Sequence, residues 1–245
     1  MLARAASGAV LQERPLVYHA EPGTTPVSAE KQLVLKRVGG GKRVLEVGAH
    51  GGYFSALLEA AGCTVTAVEP DPRAAARARE HASRVIEGSI EDPRIQADLG
   101  GPFDVVLFMH VLEHLADPWA ALRATRALAA PDAILFALVP NVACWRIRKR
   151  LFFRGAFDYE DTGILDRTHL RFFTLGSARA LLADGGWDPV GVHSIDVCVP
   201  LERRLRRLPL ARACADRWHA SMARRFPNLC TEIVAIEARR QPEGG

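Results

Sequence analysis

The chain alternates apolar, strand-like runs with helix-like stretches, and this alternation constrains the fold more than any other feature. Strands are predicted at 43–47, 64–68, 84–88, 103–109, 133–139, 189–199 and 230–238. Helices are predicted before and between them at 28–38, 53–61, 71–82, 117–130 and 174–186. Because parallel strands need long crossover connections, which are usually helices, the pattern predicts an α/β fold with a doubly wound, mostly parallel sheet.

Two Asp-Pro pairs, at 71–72 and 117–118, give the clearest helix starts. An Asp side chain caps free N–H groups of the first turn, and the backbone of the following Pro is already set for a helix. The regular pattern lapses at 140–173, where aromatic and basic residues accumulate, and we expect most of these aromatic side chains to form the core of a lid. We therefore predict a single domain over 1–245, with an N-terminal arm at 1–27, a lid insertion at 140–173 and a basic helical insertion at 201–226.

Composition argues against several classes of protein. The longest unbroken apolar run is Ala133–Val139, far shorter than the ~20 residues that cross a membrane. No apolar core of signal-peptide length precedes Glu13 and Arg14. The five cysteines form no C-x-x-C pair. We therefore predict a cytoplasmic protein without disulfides and without a metal site.

The net charge of +4 is unevenly distributed, because eight arginines lie within 201–225. They alternate with an apolar row of Leu201, Leu205 and Leu208. This pattern is typical of a solvated helix face, and it also predicts weak contact with a membrane surface through 201–226. No recognition module for nucleic acid accompanies the charge, so we expect no nucleic-acid partner.

The stretch VLEVGAHGGYF, from Val44 to Phe54, reads as a buried strand, a glycine turn and a helix start. A dinucleotide site requires the pattern G-x-G-x-x-G at such a turn. Counted from Gly48, the second glycine is replaced by His50 and the third by Tyr53. The P-loop pattern fails as well, because no Gly-Lys-Ser/Thr follows. NAD, FAD and P-loop nucleotides are therefore poor candidates.

An acidic residue stands close to the end of each of the first two predicted strands. Glu46 is the next-to-last residue of the first strand, and Glu69 directly follows the second. An acid at the end of the second strand can accept hydrogen bonds from both hydroxyls of a ribose. S-adenosylmethionine has a ribose and no phosphate, and its ammonium group would face Glu46. The glycine turn would admit the amino-acid part of that cofactor against bare backbone.

Several segments resemble the class I S-adenosylmethionine-dependent methyltransferases, in particular a small bacterial branch with ubiquinone- and glycan-type O-methyltransferases. VLEVGAHGG, AVEPDP, VIEGSIEDP and FDVVLFMHVLEHLADP resemble four motifs of that family, and the resemblance spans 26–240. It implies a Rossmann-like sheet of seven strands with the last strand antiparallel. It also implies a cofactor site made of Glu46, Gly48, His50, Gly52, Glu69, Pro70, Ser89, Ile90, Met109 and His110.

Two residues depart from the family pattern. The family usually has Gly or Ala where this chain has His50, and an adenine-binding Asp where it has Ser89. Ser89 or the backbone of Ile90 would then contact the adenine. These departures keep open an alternative function, that of a cofactor-binding accessory or regulatory protein without turnover.

The segments VPNVACW and DTGILDRTHLRFFT resemble parts of glycan- and natural-product-linked members. The resemblance predicts methyl transfer to an oxygen of a sugar, a glycan or a small natural product. An alcohol acceptor must lose its proton, so we predict His169 as the general base and Asp166 as the residue that orients it. Asn141 and Arg171 are predicted on the acceptor side.

The segment HVLEH, residues 110–114, also matches the H-x-x-E-H pattern of some zinc peptidases. In that alternative His110 and His114 would bind zinc from one helical face, and Glu113 would activate water. The segment follows a predicted strand directly, and a new helix starts at Asp117. Little room is left for a metal-bearing helix, so we treat zinc peptidase activity as a remote alternative.

Overall fold

The computed structural model describes residues 26–200 and 212–242, which form a seven-stranded sheet flanked by helices. The strands are β1 Arg43–Val47, β2 Thr64–Glu69, β3 Arg84–Glu87, β4 Phe103–Met109, β5 Ala129–Pro140, β6 Trp187–Val197 and β7 Thr231–Arg240. The helices are α1 Ala29–Val38, α2 Tyr53–Ala60, α3 Pro72–Ala78, α4 Pro93–Asp98, α5 Pro118–Ala127, α6 Trp145–Arg154, α7 Leu175–Asp184, α8 Arg212–Arg225 and α9 Pro227–Cys230. A short 3-10 turn, Leu112–His114, follows β4.

The strand order β3-β2-β1-β4-β5-β7-β6 is that of a doubly wound sheet. Strands β1 to β5 pair in parallel, and β7 runs antiparallel to both β5 and β6. The chain reverses its direction of winding between β1 and β4, and open α/β sheets bind ligands at such a switch point. The predicted seven-stranded, mostly parallel sheet with an antiparallel last strand is confirmed.

Two apolar cores cover the two faces of the sheet. Leu45, Phe108 and Leu135 belong to one, and Leu107 and Phe136 belong to the other. Because side chains alternate between the faces of a strand, the continuous apolar run of β4 contributes to both cores. A third, small core lies inside the 140–173 insertion, where Ile147 of α6 and Cys144, which precedes that helix, meet Ile164 and Leu165.

The element boundaries differ from the prediction where tertiary contacts replace local signals. Strand β5 begins at Ala129, four residues before the predicted start at 133, and α3 ends at Ala78 instead of 82. Helices α4 and α6 were not predicted. Of the basic stretch 201–226, the described part forms α8 and the residue that follows it, while 201–211 and most of the predicted N-terminal arm lie outside the described residues.

The aromatic residues of the insertion are largely exposed. The prediction that they form the core of a lid is therefore wrong for Phe152, which is 83% exposed, and for Phe153, which is 68% exposed. Phe173 is buried as predicted. No helix in the described part of the chain is long and apolar enough to cross a membrane.

Candidate cofactor and acceptor site

A cavity of about 1370 Å³ opens at the carboxyl ends of the central strands. Its wall includes the ends of β1, β2 and β4 and the loop after β3. The N-terminus of α1 and the 163–169 part of the insertion complete the lining. The cavity therefore lies at the switch point that the strand order defines.

The glycine turn after β1 brings backbone to the cavity wall. Gly48 has a φ of +75°, and a Cβ added there would lie 2.5 Å from the Val111 side chain. Gly51 also lines the cavity, and a Cβ added to it would meet nothing within 4 Å. The turn therefore packs against Val111 at Gly48 and leaves open space beside Gly51.

Gly52 is absent from the cavity wall that the described residues form. It has a φ of +78°, and a Cβ there would lie 2.8 Å from the Cα of Ala78 in α3. The structure therefore gives Gly52 a packing role between α2 and α3, where the resemblance had implied a cofactor contact.

Glu46 is a buried acid in the cavity wall, with 4% of its surface exposed. The hydroxyl of Ser55 in α2 donates to its Oε2 over 2.5 Å. Burial raises the pKa of Glu46 to about 7, against the smaller opposite effect of the bond from Ser55. A cationic group entering the cavity would stabilise its ionised form.

Glu69 ends β2 and faces the same cavity. The backbone N–H of His50 donates to Oε2 over 2.7 Å, and that of Asp71 donates to Oε1 over 3.0 Å. Burial raises the pKa of this carboxyl group, and the two backbone bonds work in the other direction. Each carboxylate oxygen can accept a further hydrogen bond, so two hydroxyl donors can be accommodated.

His50 contributes to the site through its backbone. Its φ is +50°, which is uncommon for a residue other than glycine, and its N–H orients Glu69 as described above. His50 also lines the cavity. The departure from the family pattern at this position therefore leaves the turn able to hold Glu69.

Four further predicted cofactor residues lie in the cavity wall, namely Pro70, Ser89, Ile90 and Met109. The hydroxyl of Ser89 accepts a hydrogen bond from the backbone N–H of Glu91 over 3.2 Å. Ser89 is therefore part of a local turn at the site where the family usually has Asp.

His110 links the cavity to the N-terminal helix. It directly follows β4 with a φ of +60°, and its Nε2 lies 3.2 Å from Oε2 of Glu30 in α1. Its Nδ1 lies 3.5 Å from Oε1 of Glu113. Burial by itself would lower the pKa of His110, but these two carboxylates raise it to about 9. The interaction with His110 in turn lowers the pKa of Glu30 to about 2.

Sequence analysis missed the contribution of α1. Ser28, Glu30 and Lys31 all line the cavity, and the cationic group of Lys31 lies 5.8 Å from the centre of the Tyr53 ring. No local motif marks these residues, because their position follows from how α1 docks beside the ends of β1 and β4.

A cluster of Glu113, His114 and His169 lies where the insertion meets the 3-10 turn. The backbone carbonyl of Glu113 accepts hydrogen bonds from the N–H groups of Leu170, at 2.8 Å, and Arg171, at 3.0 Å. The rings of His114 and His169 pack edge to face, 4.8 Å between centres. All three residues of the cluster line the cavity.

Within this cluster, His169 is buried and its Nδ1 lies 3.0 Å from the carbonyl oxygen of Ile164. Nδ1 must therefore carry the proton, which leaves the lone pair of the neutral ring on Nε2. Burial lowers the pKa of His169 below its ordinary value.

Asp166 shapes the loop that carries His169. Its Oδ1 accepts hydrogen bonds from the backbone N–H of Thr168 at 2.7 Å and from the hydroxyl of Thr168 at 2.6 Å. Its backbone carbonyl accepts from the N–H of His169 over 3.0 Å. Asp166 therefore positions His169 through the loop backbone, whereas the partner of the imidazole Nδ1 is Ile164.

The two residues predicted on the acceptor side are engaged elsewhere. Asn141 is fully buried, and its amide group donates to the carbonyls of Asn228 and Thr231 over 2.9 and 2.7 Å. Arg171 donates to the carbonyl of Ala116, and its guanidinium carbon lies 5.4 Å from the centre of the Trp119 ring. Neither residue is among those that line the described cavity.

The geometry of HVLEH does not fit the zinc-peptidase pattern. His110 lies at a strand end, and His114 ends the 3-10 turn, so the two do not share a helical face. His110 faces Glu30 and Glu113, and the group that clusters with His114 contains His169 instead.

Comparison with known proteins decides the family. A family model described as a methyltransferase domain matches residues 24–192, more than half of the chain. This chain belongs to the methyltransferase domain family. That assignment confirms the resemblance that the sequence motifs predicted.

The curated relatives match only part of this chain. A ubiquinone biosynthesis O-methyltransferase from Xanthomonas campestris pv. campestris (strain B100) is 39% identical over 108 residues, which are 41% of this chain and 44% of that protein. The match therefore spans less than half the length of this relative.

Solved structures confirm the methyltransferase fold. A SAM-dependent methyltransferase from Archaeoglobus fulgidus is 18% identical with a TM-score of 0.60, covering 86% of this chain and 94% of that one. The 1,6-didemethyltoxoflavin-N1-methyltransferase of Burkholderia thailandensis, solved with S-adenosylhomocysteine, is 19% identical with a TM-score of 0.54, covering 86% and 76%. S-adenosylmethionine, the cofactor predicted from the sequence, is named for the first of these proteins, and the second was solved with the demethylated product of that cofactor.

Proposed function

We propose that this methyltransferase transfers the methyl group of S-adenosylmethionine to a ring hydroxyl of a small molecule. The observation that carries the proposal is the pair of buried acids, Glu46 and Glu69, on either side of a bare glycine turn in one large cavity. When bound, the cofactor supplies an activated methyl group, so the protein has mainly to position the acceptor and exclude water.

The residues present fit this cofactor. Glu46 offers a carboxylate to an ammonium group, and Glu69 offers two oxygens to two ribose hydroxyls. Ser89 and Ile90 line the wall where an adenine would extend along the sheet. No pyrophosphate-binding pattern competes with this interpretation, because His50 and Tyr53 replace two of the required glycines.

The walls of the cavity near the insertion favour a ring with a hydroxyl group as acceptor. Ile164, Ile195 and Ile233 provide apolar surface there, and Glu113 and His169 provide polar groups. The curated relatives are named for ubiquinone biosynthesis. We therefore place a phenol-type small molecule ahead of the sugar or glycan acceptor that the sequence predicted.

The proton of the acceptor hydroxyl needs a base near the transferred methyl group. His169 is suited to this role, because its Nδ1 is held by the Ile164 carbonyl and its ring is neutral near pH 7. The insertion would then act as a cover for the acceptor. We expect His169→Ala to abolish methyl transfer while the affinity for S-adenosylhomocysteine stays within about two-fold, since the imidazole does not bind the cofactor.

Calorimetric titration with S-adenosylhomocysteine is the direct test of the cofactor site. We expect micromolar binding by the unaltered protein and a loss of roughly 100-fold in Glu69→Ala, because two charge-assisted hydrogen bonds to the ribose disappear. Glu87→Ala is the matched control, since Glu87 is the neighbour of Glu69 in β3 but is exposed and pairs with Arg79.

Turnover is then measured with a panel of phenols, catechols and sugars. Binding with methyl transfer to a phenol supports the proposal. Binding without transfer to any acceptor favours the accessory protein that the sequence left open. A folded protein that binds no S-adenosylhomocysteine contradicts both.

A further inference from the structure

We infer that Glu113, His114 and His169 form a binding site for a divalent transition-metal cation at the acceptor end of the cavity. Each residue offers one ligand atom, and these atoms lie within 4.8 Å of one another. The three come from two segments that the backbone bonds of Leu170 and Arg171 to the Glu113 carbonyl hold together. The site deepens the proposed function and rests on it only for its role in the reaction.

Both histidines are oriented as metal ligands usually are. The Nδ1 of His169 faces the Ile164 carbonyl at 3.0 Å, and the Nδ1 of His114 faces the Thr168 carbonyl at 3.2 Å. A carbonyl partner places the proton on Nδ1 and leaves the lone pair on Nε2. Ligating histidines commonly donate their second N–H to a carbonyl in this way, which fixes the tautomer and the ring.

The environment of Glu113 supports the metal site independently of the two histidines. Its side chain is only 1% exposed, and neither carboxylate oxygen receives a hydrogen bond within the described chain. The contact of Oε1 with Nδ1 of His110 at 3.5 Å is an ion pair that falls short of hydrogen-bond geometry. His110 therefore compensates part of the charge through Oε1, while Oε2 has no partner among the described residues, and a bound cation would supply one.

The ligand set selects the kind of cation. Two imidazoles and one carboxylate suit zinc, cobalt, iron or manganese, whereas magnesium prefers oxygen ligands. A tetrahedral ion holds neighbouring ligands about 3.4 Å apart, so the side chains must close by no more than roughly 1.4 Å from their present spread. One coordination position would remain open towards the cavity, because three protein ligands leave a fourth for water or substrate.

Such a cation would act directly on the acceptor hydroxyl. A divalent cation lowers the pKa of a bound hydroxyl group, which then gives its proton to water and becomes a better nucleophile near neutral pH. The Nε2 lone pair of His169 cannot bind a cation and accept a proton at the same time. It accepts the proton in the metal-free protein, and it is a ligand when the cation is bound.

The test is titration of the full-length, chelator-stripped protein with Co²⁺, followed by visible absorption and calorimetry. Cys214→Ser serves as the background, because Cys214 is the exposed cysteine of the five. We expect one Co²⁺ per chain, displaced by Zn²⁺ and not by Mg²⁺. Removing an outer partner of a ligand typically costs about 10- to 100-fold in affinity, so removing a ligand should cost at least as much.

The variants are Glu113→Gln, His114→Ala and His169→Ala, with His219→Ala in α8 as the matched control. His114 is exposed, so its variant remains informative if the two buried positions fail to fold. Saturable binding that weakens in the three variants and persists in His219→Ala supports the site. The site is overturned if no Co²⁺ binds or if binding is unchanged in His114→Ala and His169→Ala. It is also overturned if Mg²⁺ displaces Co²⁺ as readily as Zn²⁺ does.

Titration with S-adenosylhomocysteine separates this inference from the proposed function. A protein that binds the cofactor product but no Co²⁺ retains the function and loses the metal site. A protein that binds Co²⁺ at these residues but no S-adenosylhomocysteine retains the site and loses the function.

Discussion

At the scale of single residues, Glu46 and Glu69 show how two acids in one cavity acquire different environments. Glu69 accepts two backbone N–H groups, whereas the bond described to Glu46 comes from a single hydroxyl. Burial therefore has its larger effect on Glu46, whose pKa rises to about 7. The charge of Glu46 consequently changes within the ordinary working range of pH.

Binding of S-adenosylhomocysteine should depend on pH through Glu46. The ammonium group of the ligand favours the ionised carboxylate, so binding releases a proton and the affinity rises as the pH rises through about 7. With a single group of that pKa, the affinity should increase about ten-fold between pH 6 and pH 8 and then level off.

Calorimetry across this pH range, repeated in two buffers of different ionisation enthalpy, measures both the affinity and the released proton. Glu46→Gln should bind more weakly at pH 8 and should lack the pH-dependent rise. A wild-type affinity that stays constant from pH 6 to pH 8 would contradict the assignment of Glu46 to the ammonium group.

At the scale of elements, the approach of α2 to α3 depends on Gly52. The residue combines a φ of +78° with a distance of 2.8 Å between an added Cβ and the Cα of Ala78. The contact is with the backbone of α3, which cannot move aside as easily as a flexible side chain. Gly52→Ala should therefore lower the free energy of unfolding by about 2 kcal/mol.

Gly51→Ala is a control one residue away. Gly51 does not require a positive φ, and a Cβ there meets nothing within 4 Å. Its free energy of unfolding should stay within about 0.5 kcal/mol of the unaltered protein. Urea denaturation of both variants measures the difference, and equal stabilities would show that α3 can move away without cost.

The docking of α1 over the cavity depends on the contact between Glu30 and His110. The carboxylate of Glu30 is 15% exposed and lies 3.2 Å from Nε2 of His110. Since the pair is partly screened by solvent, Glu30→Gln should weaken the docking by roughly 1 kcal/mol. Hydrogen exchange of the α1 amides should become faster by about five-fold, whereas the exposed substitution Lys36→Gln should leave their exchange unchanged. Unaltered exchange in Glu30→Gln would show that the Glu30–His110 contact contributes little to the docking of α1, which Arg37 also ties to Glu237 of β7.

At the scale of the whole molecule, one sheet carries both apolar cores. Phe108 lies in one core and Phe136 in the other, and both are fully buried. Because the two residues lie on paired strands, loss of either core should unfold the same unit. Phe108→Ala and Phe136→Ala should each shift one common unfolding transition, by about 3–5 kcal/mol.

Denaturation followed by tryptophan fluorescence and by circular dichroism measures whether the transitions coincide. Coincident transitions in both variants support the single domain predicted over 1–245. Two separate transitions, each sensitive to one of the substitutions, would divide the chain into independent units.

The sequence alone determined the parts of this protein that rest on local chemistry. The period of apolar residues marked the strands β1 to β4 closely, with β4 at 103–109 as predicted. The Asp-Pro pairs marked the starts of α3 and α5, where the Asp side chains do cap the helices. Glu46 and the glycine turn are likewise close together along the chain. Glu46 and Glu69 lie at the ends of adjacent parallel strands. Such features need only the backbone preferences of a few neighbouring residues and the parallel order of the strands.

Tertiary structure decided which polar side chains reach the cavity. Asn141 was predicted at the acceptor, but its amide donates to the carbonyls of Asn228 and Thr231, which are distant in sequence. Glu30 reaches His110 across 80 positions, and His169 meets Glu113 and His114 across more than 50. No sequence period or motif spacing predicts these contacts, because they depend on how separate elements pack. A buried polar group takes whichever partner packing brings within hydrogen-bond distance, so the folded chain alone distinguishes a ligand from a structural contact.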